Sequence, residues 1–93
     1  MRRILLTRTL NDTAADNSKV AQEIVTAIRR FGRNDWGNVP DEDKEANDED
    51  LKRRDGRLLG KYSTQEGDIY ITLDFGESAS EGDIETVMFA DEY

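Results

Sequence analysis

The sequence predicts an α+β domain: an about four-stranded, mainly antiparallel sheet with two helices packed on one face, in the order β-α-α-β-β-β. Three observations predict it. Val20, Ile24, Ala27, Ile28 and Phe31 recur at helical spacing and share one face. Ile69, Ile71, Leu73 and Phe75 alternate with Asp68, Tyr70, Thr72 and Asp74, the period of a strand with one apolar side. Short apolar runs after residue 55 are punctuated by Asp55-Gly56, Gln65-Glu66-Gly67 and the Gly76 to Asp83 segment, as turns would do. A chain of 93 residues with one pass of these elements makes a single domain, 1–93. At that size it buries roughly 60 to 65% of its unfolded surface.

The elements follow in order. Ile4 to Leu10 is rich in strand-tolerant residues and ends at Asn11-Asp12, so it reads as a strand, and the small polar segment Thr13 to Ser18 reads as a loop. A helix at about 18 to 31 follows, with Asn17 or Ser18 placed to accept from an unpaired N–H at its start. Arg29, Arg30 and Arg33 suit its negative end, and Gly32 suits a left-handed cap. Pro40 stands where a first helical residue belongs. From Asp41 to Asp55 twelve of fifteen residues are charged, acids first and Lys52, Arg53 and Arg54 last, the order a helix dipole favours. Only Ala46, Leu51 and Val39 offer that helix a core contact, so it must lie on the surface. Leu58 to Tyr62, Ile69 to Phe75 and Ile84 to Phe89 complete the sheet.

Composition narrows function. There is no cysteine and no histidine, which removes disulfides, thiolate chemistry, the commonest general base and the commonest metal ligand. No run approaches the ~20 apolar residues of a membrane span, and the apolar run after Arg2-Arg3 is too short for a signal-peptide core; a cytoplasmic protein is expected. Formal net charge is −8, unevenly spread. Residues 1–33 carry a net +4, residues 34–61 a net −3, and residues 62–93 a net −9 with no Lys or Arg. Such a balance repels nucleic acid and anionic membranes and suits a partner with a basic surface.

Chemistry-bearing motifs are weighed beside plainer readings. Pro40-Asp41-Glu42-Asp43-Lys44 has the residue types of a metal-dependent nuclease signature, but those enzymes hold their acids on separate strands. Here the residues share about one helical turn, and their side chains diverge. Asp48-Glu49-Asp50 lacks the alternate spacing of a calcium loop. No catalytic residue, metal ligand or cofactor is therefore assigned, and the expectation is a non-enzyme. Trp36 and Tyr62 read as core, whereas Tyr70 falls on the polar face of its strand and is a candidate aromatic anchor. The acids read either as a solvated face or as an imitation of a phosphate backbone. Mimicry predicts that Asp41, Glu42, Glu45, Asp48 and Glu49 of the helix converge with Asp68, Asp74, Glu77, Glu81, Asp83 and Glu85 of the sheet and its loop.

Several short motifs keep order and approximate spacing over about residues 18–93: Asp35-Trp36-Gly37, Glu42-Asp43-Lys44, Asn47-Asp48, Leu51, Arg57-Leu58-Leu59, Tyr62, Ile69-Tyr70-Ile71-Thr72 and Thr86 to Tyr93. Through them the chain resembles a family of small, mostly uncharacterised proteins of bacterial plasmids and prophages. Asn34 stands where that pattern has glycine and Ala90 where it has proline, and the Gly76 to Gly82 loop departs from it. The resemblance implies a mobile-element setting inside a bacterial host and supplies no catalytic residues. Among small acidic proteins of that setting the chain resembles an anti-CRISPR inhibitor. The expectation that follows is a protein that covers a basic DNA-contacting site on a subunit of a type I surveillance complex. The alternative is a small interaction module of plasmid maintenance whose charge serves solubility.

Overall fold

The computed structural model describes residues 2–77 and 82–93. Its elements are β1 (Arg2–Leu6), α1 (Arg8–Asp16), α2 (Ser18–Gly32), α3 (Asp41–Arg53), β2 (Arg57–Thr64), β3 (Gly67–Asp74) and β4 (Asp83–Phe89), closed by a 3-10 turn at Ala90–Glu92. The class is α+β, as the patterning predicts, but with three helices and a mixed sheet. The strand order is β1-β4-β3-β2, with β1 parallel to β4 and the other pairs antiparallel.

The largest departure from the sequence reading is α1. The sequence pattern extends the first strand through residues 8–10 and makes 13–18 a loop. Instead the strand stops at Leu6, and the Thr7 side chain accepts from the Leu10 N–H as a helix cap. Leu10 is then buried, with Ala14 packed against the core one turn later. Asn11-Asp12 lies inside that helix rather than at a turn. Asn17 ends α1 and starts α2, its side chain accepting from the Lys19 and Val20 N–H groups. The end of α2 also differs by a residue or two. Gly32 is still helical, and the left-handed conformation falls on Asn34 (φ 65°), one of the few residues other than glycine that adopts it readily. Pro40 occupies the cap position of α3 rather than its first turn.

The core lies between one face of the sheet and helices α1 and α2. Val20, Ile24, Ala27 and Phe31 of α2 meet Leu58 and Tyr62 of β2, Ile69, Ile71 and Leu73 of β3, and Val87 of β4. Trp36 and Tyr62 are core residues, as expected, and the Tyr62 hydroxyl donates to the Asp35 carbonyl at 2.7 Å. Phe31 and Trp36 meet edge to face at 5.2 Å between ring centroids. Gly60 makes the close approach of α2 feasible: a Cβ there would sit 2.9 Å from the Phe31 ring and 2.6 Å from the Tyr62 hydroxyl. No helix among the described residues is long and apolar enough to cross a membrane.

Candidate functional site

α3 is held to the sheet by polar contacts, because its sequence has too few apolar residues to be held otherwise. Its sheet-facing residues are Asn47 and Leu51, four apart on one helix face. Asn47 replaces the expected Ala46 as the core-facing residue and is only 4% exposed. Its side-chain amide donates to the Leu59 carbonyl at 2.9 Å and accepts from the Leu59 N–H at 3.2 Å. The amide thus imitates a paired strand residue at the outer edge of β2. Further along that edge, Lys61 N–H donates to Trp36 O at 3.0 Å and Asn38 N–H to Lys61 O at 2.8 Å. Asp48 accepts from Trp36 Nε1 at 2.9 Å, which ties the helix to the core aromatic pair. Arg54, in left-handed conformation just past the helix, grips Asp83 through its two terminal guanidinium nitrogens and lies over the Phe75 ring at 5.0 Å.

The opposite side of α3 is a row of exposed acids. Asp41, Glu42, Glu45 and Glu49 recur at one-, three- and four-residue steps and so share one face, turned away from the Asn47 side. Asp43, also in the first turn, lies instead on the Asn47 side, four residues before it. Among the described residues Asp41, Glu42, Asp43 and Glu45 make no ion pair, and Glu49 makes only a 3.8 Å contact with Arg53.

The sheet acids do not join this row as mimicry predicted. Asp74 is bridged by Arg57 at 2.8 Å, Asp68 lies 3.6 Å from Lys61, and Asp83 is held by Arg54 at 2.7 Å. The Arg54 guanidinium and the Gly76 N–H together hold the Asp83 carboxyl below its ordinary range. Glu85, expected on the surface, is buried at 1% exposure on the core face. There it takes a 3.3 Å contact from Arg2, and among the described residues its Oε2 has no hydrogen-bond partner. Burial pushes its carboxyl up, an effect that Arg2 only partly offsets. Asp48 is committed to Trp36. Glu77 is exposed beyond β3, and Glu81 lies outside the described residues. The surface formed by this base-free tail is therefore less acidic than its sequence, because strand pairing brings bases from β2 and from the end of α3 onto Asp68, Asp74 and Asp83.

Tyr70 stands on the outer face of the sheet, edge to face with Tyr93 at 5.2 Å, with Lys61 6.0 Å above its ring. Tyr93 is 60% exposed. Together with Asp43, Asn47, Asp50, Arg57 and Leu59 it lines a shallow groove of about 230 Å³ between α3 and the sheet. Among the described residues no three acidic side chains converge in the manner of a metal site. No family profile, curated protein or solved structure matches the chain.

Proposed function

We infer that the protein is a non-enzymatic inhibitor of mobile-element origin, which uses α3 to occupy a basic, nucleic-acid-contacting surface of a host protein. The observation that carries this reading is the row of exposed carboxylates Asp41, Glu42 and Glu45, without ion pairs among the described residues, on a helix whose other side is pinned to β2. Carboxylates fixed along a rigid helix are arranged before a partner arrives, which reduces the ordering cost of binding. A basic groove that normally tracks phosphates supplies the complementary field. A DNA-contacting subunit of a type I CRISPR surveillance complex fits that description and the mobile-element resemblance.

The test is competition. Increasing amounts of the protein are added to a purified type I surveillance complex with labelled target DNA, at several salt concentrations. The reading expects DNA to be displaced, with inhibition weakening as salt rises, because exposed charge pairs are screened over ~8 to 10 Å. DNA binding that persists at saturating protein rejects this target.

The exposed Tyr93 beside Tyr70 favours a second reading, an interaction module of plasmid maintenance that binds through aromatic contacts. Under it, Tyr93→Ala abolishes partner binding and charge changes on α3 do not.

A further inference from the structure

The two edges of the sheet are treated differently. The outer edge of β2 is closed by the Asn47 amide and the Gly37–Lys61 bridge. Nothing among the described residues pairs with the outer edge of β1. Thr7 N–H donates to Val87 O, and Leu6 is in register with Val87, so the odd residues of β1 direct their backbone groups to β4. The N–H and C=O groups of Arg2, Ile4 and Leu6 therefore point outward. Ile4 and Leu5 are 44% and 46% exposed, and Ile84 beside Arg3 is exposed too. An edge of this kind is normally blunted by proline, a bulge or an outward charge. β1 has neither proline nor bulge, and with Arg2 turned onto Glu85 its outward charge is Arg3 alone.

We propose that β1 pairs with β1 of a second copy of this chain, antiparallel about a two-fold axis at Ile4, joining two four-stranded sheets into one. The outward groups fix the register: Ile4 faces Ile4 of the second copy, and Arg2 faces its Leu6, each pair exchanging N–H and C=O. No like charges stand opposite each other. Arg3, which has no ion-pair partner among the described residues, lies across from Leu5 of the second copy and diagonal to its Thr7. The Thr7 hydroxyl donates to Glu92 at 2.9 Å, so Arg3 of each copy is directed at a carboxylate of the other. This charge complementarity, repeated by the two-fold, selects a second copy over an unrelated strand. α3 lies on β2, at the far edge of each sheet, so the pairing leaves both acidic rows open. With strands about 4.8 Å apart, the two rows end roughly 40 Å from each other, and the dimer is bivalent.

Sedimentation velocity from micromolar to millimolar protein tests this, with Ile4→Pro and Arg3→Glu as variants. Proline at residue 4 removes an outward N–H without touching a bond to β4, so the monomer fold is retained. The wild type is expected to dimerise as concentration rises, with Ile4→Pro weakening the dimer at least tenfold and Arg3→Glu weakening it most at low salt. Hydrogen exchange on the wild type gives a readout free of mutation: Ile4 and Leu6 amides gain protection with concentration, and Leu5 does not change. A wild type that stays monomeric, a dimer indifferent to both substitutions, or Ile4 and Leu6 amides unprotected in the dimer overturns the proposal.

Discussion

Single residues show where this chain accepts an electrostatic cost and where it avoids one. Asp35 and Asp83 sit in bonds with Arg30 and Arg54 that hold their carboxyls low. Such groups contribute stability above their unfolded values, near 4, and that contribution is lost as pH falls through the depressed values. Glu85 has the opposite sign. Its carboxyl is raised by burial, so the cost of keeping it charged is largest at neutral pH and fades as pH falls toward its unfolded value near 4.5. Glu85→Met should therefore stabilise the fold by about 1 to 2 kcal/mol at neutral pH, since it removes an orphaned buried oxygen and leaves half-exposed Arg2 to hydrate. Denaturant titrations at neutral pH and near pH 4.5 should show the advantage shrinking in acid. An advantage that grows in acid would contradict the assigned sign.

At the scale of elements, what the sequence revealed was local and periodic. The stripe from Val20 to Phe31 and the alternation from Asp68 to Asp74 each have one reading, and α2 and β3 lie where those patterns put them. α1 was not legible because Asn11-Asp12 carries a turn signal that the Thr7 cap and the burial of Leu10 override. The docking of α3 was hidden for a related reason. A charged helix was expected to use its few apolar residues, but Asn47, one of three uncharged residues between Asp41 and Asp55, satisfies both open groups of Leu59 instead. Asn47→Ala removes both bonds and leaves a strand N–H and C=O without partners. The expected loss is about 2 to 4 kcal/mol in a thermal or chemical melt, with faster hydrogen exchange at Leu59. A loss below about 0.5 kcal/mol, the level of an ordinary surface substitution, would remove the basis for calling α3 pinned.

For the whole molecule, long-range pairing decides what the charge pattern means. Nine acids and no base after residue 61 suggested a broad acidic face, yet β2 lies beside β3 and the end of α3 reaches Asp83, so Arg57, Lys61 and Arg54 pair with three of those acids, Asp74, Asp68 and Asp83. Chain order cannot disclose this, because the partners are brought together by the fold. Among the described residues Asp41, Glu42 and Glu45 make no ion pair, and they share one helix face at the sheet edge farthest from β1. The most direct measurement is the association rate with the purified surveillance complex, for the wild type and for Asp41→Lys/Glu42→Lys/Glu45→Lys. Lysines in the first turn oppose the helix dipole at about 0.3 to 1 kcal/mol each, so the amide variant Asp41→Asn/Glu42→Gln/Glu45→Gln is measured beside it. The acidic-helix account predicts an association rate slower by about tenfold or more for the lysine variant, an intermediate rate for the amide variant, and retained folding in both. Association at the wild-type rate in both variants would contradict it.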